Sequence, residues 1–401
     1  MVSGVRVCCR RAGRTFRFAI DASRTVTGSA NAYFIDSPAG LKEFLSALDG
    51  EEVIAIDTEF MRERTYFPVL CLIQVALSDS IWSIDALVLE DLTPLFAALY
   101  SPSRAKVLHA ARQDLEIFFN KTGRIPTPLF DTQIAAALLG RPDQIAYAGL
   151  VSEFFSIELD KTSSRTNWAQ RPLTKSQLEY AADDVRYLTE LQRRLTEELR
   201  YRGRESWLEE ECSGLSDVAR YENEPGAAWR RVKGVARLGR VELGIARALA
   251  AWRERSARSR NLPRGWVLKD DRLIALARAA PRSKPDLLGV DGLSPGLIRR
   301  YADELLETIN GVDMDFLDPV QPQSRRLTDS GKSLVHDLLN ELRKRASASE
   351  VSVGLLATRR DVEAAVCGRD GIRFYKGWRR ELFGDFVRRQ IVAHSHVPLF
   401  E

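Results

Sequence analysis

V-I-A-I-D-T-E-F, residues 53–60, is an apolar run that ends in two acids. Its aliphatic and β-branched side chains predict a buried strand. Asp57 and Glu59 are two positions apart, so on a strand their side chains point to the same face. Two adjacent carboxylates repel each other, and each raises the pKa of the other unless a cation lies between them. The stretch therefore predicts either a cation site on a buried strand or a strand that ends in solvent.

The segments around this strand alternate between strand and helix patterns. Alternating strands and packed helices indicate an α/β domain with a central mixed sheet. One long helix is predicted over 175–201, with Thr174 as N-cap and Gln177 completing a capping box. The other predicted strands are 71–77, 80–84 and 106–109, and the other predicted helices are 41–48, 92–99, 115–120 and 132–139.

Changes in composition divide the chain into parts. Residues 1–30 are basic and rich in Arg, Ser and Gly, which predicts a disordered arm, with a transit peptide as the alternative. Only helical patterns follow the α/β region. The predicted parts are the arm 1–30, an α/β domain 31–213, a linker 214–228, a helical domain 229–311, a linker 312–326 and a second helical domain 327–401.

Charge is distributed unevenly along the 401 residues. Residues 31–229 contain 20 basic and 32 acidic residues, whereas 230–401 contain 33 basic and 22 acidic residues. An acidic block can hold cations, and a basic block can attract polyanions. No apolar run reaches the roughly 18 residues of a membrane helix. The five cysteines form no C-x-x-C pair, which indicates neither a disulfide framework nor a thiolate zinc site and fits a reducing compartment.

Two later segments supply further acids. Residues 106–116 read K-V-L-H-A-A-R-Q-D-L-E, in which a strand ends and a helix begins. Asp114 falls in the first helical turns, where the helix dipole also favours an acid. In Y-A-A-D-D-V-R-Y-L, residues 180–188, the helical period puts Asp184 beside Tyr180 on the inward apolar stripe and Asp183 on the solvated face. An inward carboxylate needs a partner, either a buried Lys or Arg or a metal ion.

Three motifs resemble those of the DEDD exonuclease superfamily, tyrosine subtype. They are D-T-E-F at 57–60, H-A-A-R-Q-D-L-E at 109–116 and Y-A-A-D-D at 180–184. The stretches between them look like bacterial ribonuclease D, namely R-T-Y-F-P-V-L-C-L-I-Q at 64–74, F-D-T-Q-I-A-A at 130–136 and L-D-K-T-S-S-R-T-N-W-A-Q-R-P-L at 159–173.

The first helical domain carries a second resemblance. N-L-P-R-G-W-V-L-K-D-D-R-L at 261–273 and D-L-L-G-V-D-G-L at 286–293 are similar to the helicase-and-RNase-D C-terminal (HRDC) domain. Together the resemblances imply a ribonuclease-H-like exonuclease domain with a central mixed sheet, followed by two small all-α HRDC-type domains. The placement of the second one rests only on ribonuclease D carrying two such domains.

The resemblance also implies a chemistry, which is hydrolysis of RNA from its 3′ end with release of 5′-mononucleotides. It makes Asp57, Glu59, Asp114 and Asp184 the ligands of two divalent metal ions, and it makes Tyr180 the residue that orients the attacking water. Oxygen-only ligands suit a hard ion such as Mg²⁺ or Mn²⁺. The expected activity is that of a 3′–5′ exoribonuclease.

Basic residues are candidates for RNA contact. Lys161 and Arg165 precede the last motif, where they either touch phosphates or lie in a solvated loop. Arginines of the helical domains are further candidates, because cations that neutralise phosphates supply much of the affinity for RNA. These arginines are Arg253, Arg255, Arg258 and Arg260 in one cluster and Arg379, Arg380, Arg388 and Arg389 in another.

We expect a cytoplasmic monomer whose substrates are precursor tRNA and other small structured RNAs. A DNA 3′–5′ exonuclease is an alternative, because the same motifs serve proofreading enzymes. A nucleic-acid-binding module with a silent nuclease core is an alternative from another class, although all five motif residues are present. No nucleotide cofactor is expected, because S-G-K-S at 330–333 has Arg326 where a phosphate-binding loop needs glycine and has no preceding strand.

Overall fold

The computed structural model describes residues 15–18, 31–160, 166–313 and 326–400. Contacts group the chain into two compact units. Unit 1 comprises Met1–Met61, Leu70–Val218 and Leu327–Glu401, and unit 2 comprises Arg62–Val69 and Ala219–Arg326.

Unit 1 is built on a seven-stranded sheet. Its strands are β1 (Phe16–Phe18), β2 (Asn31–Ile35), β3 (Val53–Met61), β4 (Val69–Ala76), β5 (Ser80–Asp85), β6 (Ala105–Leu108) and β7 (Leu129–Asp131). Their order is β1-β2-β5-β4-β3-β6-β7. β2 pairs with β5, β3 with β6 and β6 with β7 in parallel, whereas β1–β2 and β4–β5 are antiparallel. The prediction of a central mixed sheet is confirmed.

The strand that carries the two acids is buried as predicted. Ile54, Ala55 and Ile56 have no exposed surface, because helices cover this part of the sheet. β3 has neighbours on both sides, so its backbone is fixed by hydrogen bonds along the sheet. This strand carries Asp57 at its middle and Glu59 in its carboxyl-terminal half.

The edge of the sheet differs from the expectation for the first thirty residues. Residues 16–18, which we predicted to be disordered, form β1 and pair with 32–34 of β2. Their F-R-F alternation has the strand period, but it is too short to be distinguished in a basic segment. The rest of the predicted arm lies outside the described residues.

Helices pack on the sheet of unit 1. α6 contacts β3 and β5, and α7 contacts β3 and β6. The predicted capping box at the start of α6 is present, with Thr174 and Gln177 bonded to each other's backbone. The helices are α1 (Pro38–Ala47), α2 (Thr93–Leu99), α3 (Arg112–Thr122), α4 (Thr132–Leu138), α5 (Tyr147–Phe155), α6 (Lys175–Arg186), α7 (Leu188–Tyr201) and α8 (Glu205–Leu215).

The prediction of one helix over 175–201 is wrong, because the helix breaks at Tyr187. The Tyr147 hydroxyl donates to the carbonyl of Asp183 at 2.9 Å and accepts from the amide of Tyr187 at 3.1 Å. In a continuous helix the amide of Tyr187 would donate directly to the carbonyl of Asp183, and here the Tyr147 hydroxyl lies between the two groups and bonds to both. A side chain inserted into the backbone ladder is a known cause of a helix break.

The described part of 219–326 in unit 2 is built from helices and turns, and the segment Arg62–Val69 also belongs to this unit. Trp252 and Tyr301 pack edge to face in its core. An ion pair joins the buried Arg253 to the half-buried Asp270 at 2.7 Å, and Arg253 also donates to the carbonyl of Leu268. The helices are α9 (Arg240–Ser259), α10 (Arg264–Val267), α11 (Asp270–Ala279), α12 (Lys284–Leu288) and α13 (Pro295–Asn310).

The C-terminal residues 327–400 are also helical, and they pack within unit 1. Their helices are α14 (Asp329–Ala348), α15 (Val353–Leu356), α16 (Arg359–Val366), α17 (Gly377–Arg379) and α18 (Asp385–Ala393). Apolar residues of these helices share one buried cluster with residues of α4, α7 and α8. Trp378 stacks on Trp207 of α8 at 4.8 Å, and Arg379 pairs with Glu211 of the same helix. That residues 327–401 form a second HRDC-like domain stays a prediction.

Among the described helices, none combines the length and the apolarity that crossing a membrane requires.

Candidate active site

Three of the predicted acids meet at one place in unit 1. Asp57 and Glu59 lie on β3, and Asp184 lies on α6, which packs against that strand. One carboxylate oxygen from each lies within 4.8 Å of the other two. Residues far apart in the sequence thus form a compact set of oxygens with the spacing needed to bind a common cation.

Asp114, the fourth acid, is buried in the first turn of α3. It does not belong to the three-carboxylate set, and its carboxylate accepts a 2.5 Å hydrogen bond from the hydroxyl of Thr58. Thr58 stands between Asp57 and Glu59 on β3. The strand that supplies two acids therefore also determines the orientation of the fourth.

Asp131, which is not one of the four predicted acids, fixes the turn that precedes α3. One of its carboxylate oxygens accepts from the amide of Ala110 at 3.2 Å, and the other accepts from the amide of Ala111 at 2.9 Å. Ala110 has a φ of 54°, which is uncommon for a residue with a side chain. Asp131 also caps α4 by accepting from the amide of Gln133. These bonds hold the turn in the conformation that starts α3 and places Asp114.

Burial and mutual repulsion raise the pKa of all four acids. Burial, followed by the charges of the other three acids, raises the pKa of Asp57 well above its usual value. Burial, followed by the charges of Asp184 and Asp114, raises the pKa of Glu59 to about 9. Burial raises the pKa of Asp114 and of Asp184 to about 7, although hydrogen bonds from Thr58 and Tyr180 oppose it. The four carboxylates therefore hold protons more strongly than ordinary carboxylates do, and without a cation they are not all ionised at neutral pH.

In the part of the chain that the structure describes, no basic side chain balances this charge. Among the described residues, no lysine or arginine forms an ion pair with any of the four acids. Uncompensated carboxylates this close together are unfavourable, and a divalent cation removes the repulsion. The donors are all oxygens, which suits a hard divalent ion. The residues therefore fit the metal that the motifs imply.

Tyr180 joins the acids through Asp184. Its hydroxyl is hydrogen-bonded to the Asp184 carboxylate one helical turn away. Burial and the neighbouring carboxylates raise the pKa of Tyr180 far above that of an ordinary phenol. Tyr180 therefore keeps its proton at neutral pH and acts as a hydrogen-bond donor.

The predicted solvated position of Asp183 is wrong. Asp183 is only 6% exposed and accepts from Arg186, whose side chain is also buried. This face of α6 is covered, and Tyr147 contacts the backbone there. Asp183 is buried and Asp184 is half-buried, but Asp183 has a basic partner and Asp184 has none among the described residues.

The basic residues that we predicted to contact RNA fall into three groups: those outside the described residues, those buried in ion pairs and those that are exposed. Lys161 and Arg165 lie outside the described residues. Arg253 and Arg379 are buried in ion pairs with Asp270 and Glu211, so their guanidinium groups are not available to RNA. The other members of the two clusters are exposed, and they are Arg255, Arg258, Arg260, Arg380, Arg388 and Arg389.

Sequence reasoning missed the residues that hold the acids in place. Thr58 sits inside the first motif, and its position between two acids could have identified it. Asp131 starts D-T-Q-I at the beginning of a helix, which is an N-cap pattern. Tyr147 has no local signal, because its hydroxyl acts on a helix distant in sequence. Trp168 packs in the core at 3% exposure.

Comparisons with known proteins agree with this geometry. Residues 33–200 match the family model described as a 3'-5' exonuclease, and residues 242–309 match the HRDC domain model. Ribonuclease D of Sphingobium indicum is 42% identical over 86% of this chain and 90% of its own length. Ribonuclease D of Zymomonas mobilis is 41% identical over 87% of this chain and 91% of its own length.

Solved structures agree as well. The crystal structure of Escherichia coli RNase D, an exoribonuclease involved in structured RNA processing, superimposes with a TM-score of 0.81 at 33% identity. It covers 90% of this chain and 98% of that chain. The catalytic core of RRP6 from Trypanosoma brucei superimposes with a TM-score of 0.54 at 25% identity, over 69% of this chain and 78% of that one. The chain therefore belongs to the ribonuclease D family and is a metal-dependent 3′–5′ exoribonuclease.

Proposed function

We propose that Asp57, Glu59, Asp114, Asp184 and Tyr180 form the catalytic centre and that the carboxylates hold two Mg²⁺ or Mn²⁺ ions. The observation that carries this proposal is the convergence of three carboxylates within 4.8 Å of one another. The absence of an ion-paired lysine or arginine among the described residues supports it further.

The four acids divide the work of metal binding. Asp57, which lies close to the charges of the other three acids, would help to hold both ions. Glu59 and Asp184 would hold one ion together with it. Asp114, which Thr58 orients separately, would hold the other. When bound, the ions activate a water and neutralise the charge that develops on the phosphate and the leaving oxygen.

Tyr180 orients the attacking water. Its raised pKa means that it cannot serve as a general base at neutral pH. Its hydroxyl can hold the water through a hydrogen bond while remaining close to Asp184. The water attacks the terminal phosphodiester, and the 3′-oxygen of the preceding nucleotide leaves. A 5′-mononucleotide is released, and the shortened RNA keeps a 3′-hydroxyl.

The proposed substrates are precursor tRNA and other small structured RNAs. The Escherichia coli relative is an exoribonuclease involved in structured RNA processing, which supports this choice. The exposed arginines of the helical regions, together with Lys161 and Arg165, would contact the phosphate backbone. Binding through phosphates weakens steeply with salt. We propose that the protein acts as a monomer in the cytoplasm.

The test compares Asp57→Ala with Glu90→Gln, which removes an exposed acid outside the site. With Mg²⁺ present, Asp57→Ala should reduce degradation of a 3′-hydroxyl RNA by more than about 100-fold, because even residues that only support metal ligands cost 10–100-fold. Glu90→Gln should match the wild type. Calorimetric titration with Mn²⁺ should show loss of binding in Asp57→Ala alone.

The same assay separates the alternatives. A matched DNA oligonucleotide degraded faster than the RNA would identify a DNA exonuclease. Binding without degradation of either would identify a silent module. A tRNA with extra 3′ nucleotides should be shortened one nucleotide at a time, and chelator should stop the reaction. Full activity in Asp57→Ala would refute the site, and sedimentation analysis tests the monomer.

A further inference from the structure

One loop connects the strand of the catalytic acids to the helical unit. β3, which carries Asp57 and Glu59, ends at Met61, and the loop Arg62–Val69 begins at the next residue. The contacts of this loop place it in unit 2, and Tyr66 packs against the apolar core of that unit. The chain thus passes directly from the predicted metal ligands into the helical core and then returns along β4.

A buried carboxylate holds the loop. Glu254 lies on α9 and is 1% exposed. It accepts from the Tyr66 hydroxyl at 2.6 Å and from Nε and Nη2 of Arg264 at 2.6 and 2.7 Å. The Arg264 guanidinium also lies over the Tyr66 ring, 4.8 Å from its centre. A buried charge is tolerated only when it is paired, and Glu254 is paired with Arg264 and, at 3.5 Å, with Arg231, while the Tyr66 hydroxyl adds a hydrogen bond.

A second contact fixes the backbone of the same loop. The side-chain oxygen of Asn261 accepts from the amides of Tyr66 and Phe67, each at 3.1 Å. Asn261 has a φ of 49°, a conformation that asparagine adopts more readily than most residues. The loop is therefore held by the ring and the hydroxyl of Tyr66, which contact Arg264 and Glu254, and by two backbone amides, which bond to Asn261.

RNA binding does not explain these residues. Glu254 is negative and buried, so it cannot contact phosphates, and the Tyr66 hydroxyl is occupied by it. Yet Tyr66 and Asn261 lie in two of the stretches that most resemble the family, 64–74 and 261–273. These two stretches are in direct contact, since the side chain of Asn261 bonds to the amides of Tyr66 and Phe67.

We infer that Tyr66, Glu254 and Asn261 are positioning residues, through which the first helical domain holds the β3–β4 loop and so β3, which carries Asp57 and Glu59. The inference rests on the proposed function of these two acids. It gives this helical domain a role in catalysis that is separate from its attraction for RNA.

The central test is Tyr66→Phe, which keeps the ring and removes the hydroxyl. Tyr301→Phe is the matched control, because it removes a phenol hydroxyl from the core of the same unit, whereas the hydrogen bonds that hold the loop involve Glu254 and Asn261. Three quantities are measured on the full chain: kcat and KM on a trinucleotide and on a 3′-extended tRNA, Mn²⁺ affinity by calorimetry, and hydrogen exchange of residues 62–69.

Tyr66→Phe should speed exchange in the loop and lower kcat about tenfold on both substrates, because small misplacements of catalytic groups carry costs of this order. KM should change little, and Mn²⁺ should bind more weakly. A domain that acts only by holding RNA would instead raise KM for the tRNA and leave the trinucleotide unaffected. That result, or unchanged exchange in the loop, would overturn the inference.

A second pair of variants covers the case in which Tyr66→Phe is poorly folded. Asn261→Gly removes the acceptor of the two amides but tolerates the positive φ, and Asn261→Asp keeps an acceptor oxygen. Asn261→Gly should reproduce the loss of kcat, and Asn261→Asp should restore most of it. Exchange in the loop reports on the contact even if Asp57→Ala were to disprove the catalytic site, so the two failures are distinguishable.

Discussion

The two helical regions that follow the α/β domain use the same kind of buried ion pair in different ways. In unit 2, Arg253 pairs with Asp270, so both partners belong to the same helical region. In the C-terminal region, Arg379 pairs with Glu211 of α8, which precedes both helical regions. The first pair stabilises a separate unit, whereas the second joins the C-terminal helices to the sheet domain. Similar composition and helical content thus lead to different dependence on the rest of the chain.

The largest effect should come from removing residues 327–401. Their apolar side chains share one buried cluster with α4, α7 and α8, and the amide of Ser352 donates to the carbonyl of Ala137. Truncation would expose this face and remove more stability than the roughly 5–15 kcal/mol of a typical domain. We expect residues 1–326 to be insoluble or to unfold without a cooperative transition of the sheet domain. A soluble truncated protein with the wild-type melting temperature would contradict the comparison.

The next largest effect should come from breaking the two ion pairs. Arg379→Ala leaves Glu211 buried at 15% exposure without its partner, which should cost about 3 kcal/mol or more. Arg253→Ala should cost less, because the Asp270 side chain is 30% exposed and can be hydrated. Differential scanning calorimetry should show that Arg379→Ala lowers the transition of unit 1 and Arg253→Ala that of unit 2. If either variant shifted both transitions equally, the two regions would not be independent.

Metal binding and the titration of the four acids should change the thermal stability of unit 1 and leave that of unit 2 unchanged. The raised carboxyl pKa values mean that the folded protein keeps protons that the unfolded chain has released, so metal-free stability should fall as pH rises through about 7 and towards about 9. Divalent ions bind the deprotonated acids and oppose this loss. Mn²⁺ should therefore raise the melting temperature of unit 1 more at about pH 8 than at about pH 6, without moving the transition of unit 2. An increase in melting temperature that is larger at low pH would contradict the site.

The smallest effect should come from Thr58→Val, which preserves shape and removes the hydroxyl bonded to Asp114. Residues that orient metal ligands change metal affinity or activity by about 10–100-fold, so we expect about a tenfold weaker Mn²⁺ affinity. Thr58→Ser keeps the hydroxyl and should restore binding. Calorimetric titration measures both variants, and an unchanged Thr58→Val affinity would show that Asp114 does not depend on this bond.

The periodicity of the sequence was sufficient to predict a mixed sheet with packed helices. The order of the three motifs, through their resemblance to the exonuclease superfamily, was sufficient to predict that Asp57, Glu59 and Asp184 lie together. The sequence was not sufficient for the orientation of Asp114, which depends on a hydroxyl from another element. The break at Tyr187 and the burial of Asp183 were also beyond it, since both follow from Tyr147 and the covering of α6. Helical period alone cannot tell a solvated face from one that another element covers.

The Tyr147 hydroxyl has a consequence for how this enzyme can change over evolution. By separating α6 from α7, it frees the direction of the second helix from that of the first. Insertions, deletions and reorientation after Leu188 can then be absorbed without rotating Tyr180 and Asp184. If Tyr147 were replaced by phenylalanine, α6 and α7 could join into one helix, and a change in the direction of α7 would then move the carboxylate of Asp184, a proposed metal ligand.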